Sequence, residues 1–187
     1  MNNNIDNNID NNDINLRTKK AVSVFKEVLD YEGFNLDVVQ NGIMGTQYQF
    51  KCISLLTGLT EIHITPVSDK TPNNLVITGL KIDHIATSSR GIGIGAKLIS
   101  LLSRICDIFD LDLCLWSEDN KRLKRWYRKL GFKESHTNSL GETLFILKKY
   151  NYDNVIDMLG KDKLLNASQI SVSMSIVDKY FEEIFKD

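Results

Sequence analysis

The chain is poor in the residues that mark several protein classes. It has three cysteines in 187 residues, Cys52, Cys106 and Cys114, and none are in C-x-x-C spacing. An odd count without paired spacing argues against a disulfide framework and against a structural zinc site, so no metal is expected. Free thiols of this kind suit a reducing compartment. No apolar run approaches the roughly 20 residues needed to cross a bilayer, so no membrane contact is expected. The first 15 residues hold neither a basic stretch nor an apolar core, so no secretory signal is expected, and a cytoplasmic location is the default. Charge of one sign is lacking too: the formal net charge is −1. No overall field draws the chain to nucleic acid or an anionic surface.

What is present suits one packed domain with additions at each end. Hydrophobic residues make up 42% and charged residues 25%, enough for a sizeable core. Residues 1–16 are a loose N-N-I-D repeat. This composition is too polar to pack and reads as a disordered Asn-rich tail. A helix is expected over 19–31, capped by Thr18, with Val22, Phe25, Val28 and Leu29 at helical spacing and Gly33 as the stop. Residues 34–67 change texture. Stretches at 36–39, 47–55 and 60–65 are β-branched and aromatic, with glycines between them, and read as an antiparallel meander. Residues 68–74 read as a loop and 75–86 as a further strand. A buried helix over 93–107 follows, then a strand at 111–116, an amphipathic helix at 120–130 stopped by Gly131, and a strand at 143–148. Residues 151–187 read as a C-terminal helical extension, with Ile176, Tyr180, Phe181, Ile184 and Phe185 on one face. The order gives a mixed α/β arrangement of α+β type, not a regular βα alternation.

The segment Arg90-Gly91-Ile92-Gly93-Ile94-Gly95-Ala96 joins a strand to a helix. Glycines there let backbone N–H groups close on an anion at the positive end of the helix dipole. One alternative is a dinucleotide fingerprint, Gly91-x-Gly93-x-x-Ala96 with Glu118 downstream. The long spacer 87–90, the mid-chain position and the short remainder of chain weigh against it.

The other pattern is Arg90-x-x-Gly93-x-Gly95. Downstream, Asn120, Leu123, Tyr127, Gly131 and Phe132 spell N-x-x-L-x-x-x-Y-x-x-x-G-F. Together, over about 75–149, these resemble the GNAT superfamily of N-acetyltransferases. The resemblance implies a mixed, mostly antiparallel central sheet flanked by helices, with strands four and five splayed around acetyl-CoA. The acetyltransferase domain would then span 17–150. It implies that residues 90–96 hold the cofactor's pyrophosphate and that Ile85 and Ala86 line the pantetheine arm. Asn120 would bond that arm, and it is an equally good helix N-cap. Tyr127 would bind near the sulfur and protonate the leaving thiolate; packing with Leu123 and Leu130 is its structural alternative. Trp126 is expected in the core.

The base that would deprotonate the acceptor is less legible. Asp83 or His84 are candidates, with Glu118 a third. Strand alternation sends Asp83 and His84 to opposite faces unless a bulge intervenes. The expected reaction is acetyl transfer from acetyl-CoA to a primary amine of an unidentified acceptor, with residues 40–60 building the acceptor surface. A non-catalytic GNAT-like module that binds CoA or a protein is the alternative. The basic helix over 121–129 reads as a solvated face or a 3′-phosphate contact, and it leaves charged tRNA open as an acceptor. Homodimerisation is equally open.

Overall fold

The computed structural model describes residues 6–31, 33–41, 45–54, 58–88 and 93–147. Among these described residues, three helices and seven strands run in the order α1 (Asp6–Tyr31), β1 (Asn35–Asn41), β2 (Gly45–Ser54), β3 (Gly58–Lys70), β4 (Val76–Thr87), α2 (Ile94–Ile108), β5 (Asp112–Ser117), α3 (Lys121–Lys129), β6 (Lys133–Thr137) and β7 (Thr143–Leu147). The strands form one sheet in the order β1-β2-β3-β4-β5-β7-β6. Every neighbouring pair is antiparallel except β4 with β5. The fold is therefore the expected mixed, mostly antiparallel sheet with helices. The expected extension at 151–187 lies outside the described residues.

Alternation decides which sheet face is covered. Phe50, Ile62, Ile64, Leu80 and Ile82 are fully or almost fully buried and join residues from α1, α2 and α3 in one core. Helix α1 contributes Phe25, whose ring meets Phe50 edge-on at 5.1 Å. Helix α2 contributes Ile99, Leu102 and Ile105, all at 0% exposure. The intervening strand residues point the other way. There a smaller cluster of Ile77, Cys114, Leu144 and Ile146 forms, with Val67 against it.

The strongest packing constraint is the join between β4 and β5. A Cβ built on Gly79 would fall 1.9 Å from the backbone oxygen of Asp112. Only glycine lets the two strands approach so closely there. The parallel pairing then covers just four steps, Gly79–Ile82 against Asp112–Leu115. Strand β4 runs on to Thr87, held by β3 on its other side. Strand β5 runs on through Trp116 and Ser117, held by β7. Past Ile82 and Leu115 the two strands continue without pairing to each other, so the sheet opens between them.

Three expectations are corrected. Residues 6–16 are helical, not a disordered tail: α1 starts at Asp6. Thr18 is not its cap; it is buried, and its hydroxyl donates to the Ile14 carbonyl at 2.8 Å. Arg17 explains part of this. Its Nη1 reaches the Asp110 carboxylate at 3.3 Å and the Asp110 carbonyl at 3.2 Å, while its Nε lies 3.2 Å from Asp13. Once a helix is anchored, adding turns avoids the cost of nucleation, and composition judged only the isolated segment. Second, β3 extends to Lys70, which leaves 71–75 as the turn. Third, β6 was not anticipated. Its sequence, K-E-S-H-T, has no apolar alternation, as befits an edge strand.

Candidate functional site

The opening between β4 and β5 leads to the start of α2. Gly93 caps that helix in the left-handed conformation, with φ 77°, and no side chain caps it. An L-residue with a Cβ pays to adopt this φ. The first turn carries no acidic side chain, and its N–H groups point to the positive end of the helix dipole. Ile94 packs on the core and Ala96 is buried. Gly95 lies beneath two side chains: its missing Cβ would sit 3.4 Å from Trp126 and 3.7 Å from Ile85. The structure thus brings β4, α2 and α3 together at one point. Arg90, Gly91 and Ile92 lie outside the described residues.

Ile85 and Ala86 are half-buried on the part of β4 that β5 no longer pairs. Trp126, expected in the core, is half-buried and packs on its edge. Tyr127 is buried, 8% exposed. Its ring lies 5.1 Å from Trp126, 5.6 Å from Phe145 and 5.9 Å from Phe132. Burial raises its phenol above the usual range. Leu130 joins the core, whereas Leu123 is exposed, so only half of the anticipated apolar pairing with Tyr127 forms.

Asn120 is the N-cap of α3. Its Oδ1 accepts from the N–H groups of Arg122 at 3.0 Å and Leu123 at 3.2 Å. Any further bond from this side chain would use its Nδ2 as a donor. Glu118 is exposed in the turn after β5, where its carbonyl accepts from the Asn120 N–H at 2.7 Å. On the basic helix, Lys124 pairs with Asp119 and Arg128 with Glu134.

Asp83 and His84 do not go to opposite faces. The β3–β4 register shifts between His63 and Ile64, which pair with His84 and Ile82. Asp83 is therefore the extra residue of a bulge, and a bulge redirects side chains. Asp83 accepts from Thr65 Oγ1 and from Gln47 Nε2 at 2.9 Å, and pairs with Lys81 at 2.9 Å. His84 Nε2 lies 3.0 Å from Glu61 Oε1. Both partners, Glu61 and Thr65, alternate on one face of β3, so both side chains share the face away from the main core.

Two residues here went unnoticed in the sequence, Glu61 and His63. Their signal is the alternation T-E-I-H-I-T at 60–65, which puts Glu61, His63 and Thr65 on one face. His63 and His84 stack at 5.0 Å with a 46° tilt. Burial first, and His84 second, push the His63 imidazole below its usual range. No group of three or more His, Cys, Asp or Glu side chains among the described residues is arranged to hold a metal ion. Nor is any described helix long and apolar enough to cross a membrane.

No protein-family model and no curated protein matches the chain. Among solved structures, it is similar to a chain of the crystal structure of the KacTA–DNA complex, at 15% identity over 63% of this chain and 76% of that one, with a TM-score of 0.44.

Proposed function

We propose that this chain transfers an acetyl group from acetyl-CoA to a primary amine. One observation carries the reading. Strands β4 and β5 part after Ile82 and Leu115, and the opening faces an α2 N-terminus led by left-handed Gly93 with no side-chain cap. This is the geometry that the GNAT-like motifs call for. The residues present fit an acetyl-CoA. The edge of β4 along Ile85 and Ala86 that β5 no longer pairs can hydrogen-bond an extended pantetheine arm. The N–H groups at the start of α2 can hold a pyrophosphate.

Acetyl-CoA supplies an acyl group activated as a thioester. The amine must lose a proton as the C–N bond forms, and the thiolate must gain one as the C–S bond breaks. Tyr127, kept protonated by burial, is the proposed acid for the thiolate. For the amine, His84 is favoured over Asp83. The Asp83 carboxylate already serves three donors, whereas His84 has one contact to Glu61 and is half exposed. A backbone donor near Ala86 would polarise the thioester carbonyl, an effect worth several kcal/mol when such donors are fixed in place.

The burial of Tyr127 favours a second reading, a non-catalytic module that binds CoA and uses this Tyr only for packing. Two measurements decide. Calorimetry with acetyl-CoA should show binding that Gly95→Asp weakens at least about tenfold, or about 1.4 kcal/mol, because a side chain there is pressed against Trp126 and Ile85 and brings a negative charge to the first turn of α2. Thiol release in the presence of a panel of primary amines should exceed release without them. Binding without amine-dependent release leaves the module; equal affinity in a folded Gly95→Asp removes the site.

A further inference from the structure

We propose that Glu61 is a positioning residue for His84, fixing the imidazole so that Nδ1 is the nitrogen that takes the acceptor's proton. The proposal rests on the acetyl-transfer reading above. It is built from four neighbours, Glu61, His63, Asp83 and His84, on the face of β3 and β4 away from the main core.

A neutral imidazole carries one N–H, and a carboxylate offers only lone pairs. The ring nitrogen that faces a carboxylate must therefore hold the hydrogen, which leaves the lone pair on the other nitrogen. His84 Nε2 lies 3.0 Å from Glu61 Oε1. That contact sets an Nε2–H tautomer and leaves Nδ1 as the acceptor. When Nδ1 takes a proton, the cation that forms is already beside its counter-charge. A base oriented by a third group in this way is the general logic of catalytic triads.

The surroundings keep Glu61 available for this task. Asp83, the nearest other carboxylate in sequence, is occupied by Lys81, Thr65 and Gln47. His63 is the competing imidazole. Its Nε2 stands 3.9 Å from Glu61 Oε2, too far for a hydrogen bond, and has no hydrogen-bond partner among the described residues. Burial and the neighbouring His84 push the His63 imidazole below its usual range, which disfavours the cation that would compete for Glu61. The bulge at Asp83 is what makes the arrangement reachable. It sets His84 directly across from His63 and within reach of Glu61, two residues earlier on β3. Glu61 is 20% and His84 46% exposed at the side chain, so the carboxylate sits deeper and the imidazole faces the solvent side, where an amine can arrive.

The test is Glu61→Gln, which keeps shape and removes the charge. A glutamine can donate as well as accept, so the bias toward Nε2–H is lost. Imidazole nitrogen–proton correlation spectra should show His84 as the Nε2–H tautomer in the wild type and as Nδ1–H or a mixture in Glu61→Gln. Amine-dependent thiol release should show kcat falling at least about tenfold, with the KM for acetyl-CoA unchanged. Glu61→Asp, which restores the charge, should recover part of the rate. An Nδ1–H tautomer in the wild type overturns the proposal, and that spectrum decides even if Glu61→Gln does not fold. So does a wild-type kcat in a folded Glu61→Gln. The expected tautomers with no amine-dependent release from the wild type overturn the acetyl-transfer reading, and the catalytic role of Glu61 with it. Release with an unchanged tautomer in Glu61→Gln overturns the role of Glu61 alone.

Discussion

At Tyr127 the packing of one buried residue bears directly on its proposed chemistry. Its ring is enclosed by Trp126, Phe132 and Phe145, and the same enclosure disfavours the phenolate. The phenol therefore stays protonated to a higher pH than the usual value of about 10. Tyr127→Phe keeps the ring and should hold the melting temperature near neutral pH. As a general acid it should contribute a factor of about 10² to 10⁴, so kcat should fall by that much while acetyl-CoA affinity stays level. The raised folded-state value has a stability consequence with a definite sign. The contribution is complete below the unfolded value of about 10 and is lost as pH rises through the folded value. Alkaline melting curves should therefore fall more steeply for the wild type than for Tyr127→Phe. Retention of more than about half the wild-type rate would leave Tyr127 as a packing residue only.

Among the elements, β4 does the most. It closes on β5 through Gly79, bulges at Asp83, and then parts from β5 while still paired to β3, with Ile85 against the start of α2. Adding one methyl at Gly79 would drive it into the backbone of Asp112, and main chain cannot step aside as a flexible side chain can. Gly79→Ala should cost about 3 kcal/mol, the upper end of the usual overpacking range, read from the urea midpoint. Glycine elsewhere in a strand signals a bulge or a close approach, but the sequence does not say which. The bulge, in fact, is four residues later. It was invisible for a related reason: Lys81, Ile82, Asp83 and His84 keep a plausible alternation, and only cross-strand register exposes the extra residue. Strand β6 was missed because an edge strand needs no buried face. By contrast α2 and α3 were legible almost to the residue. Their apolar spacing, the Asn120 cap and the Gly131 stop are all local signals.

For the whole molecule, the first helix poses the clearest question. Residues 6–12 are the first turns of α1, and Arg17, paired with Asp13 within the helix, ties α1 to Asp110. A chain starting at Asp13 should keep its melting temperature within about 2 °C. One starting at Thr18 loses Arg17 and its bonds to Phe109 and Asp110. Those bonds are partly exposed, so their worth is of order 1 kcal/mol, or about 2–4 °C for a chain of this size. A large loss on the shorter truncation would mean that residues 6–12 pack on the domain.

By itself, the sequence determined the class of the sheet, the two central helices, their caps and the glycine-rich start of α2. Each of these follows from contacts within a few residues along the chain, so spacing alone encodes them. Only the tertiary structure decided that Asp83 and His84 share a face, that Glu61 and His63 join them, and that Trp126 lies over Gly95. Those pairings link β3 to β4 and α3 to α2 across 21 to 31 residues of chain. Strand register sets them, and one inserted residue moves every side chain beyond it to the other face.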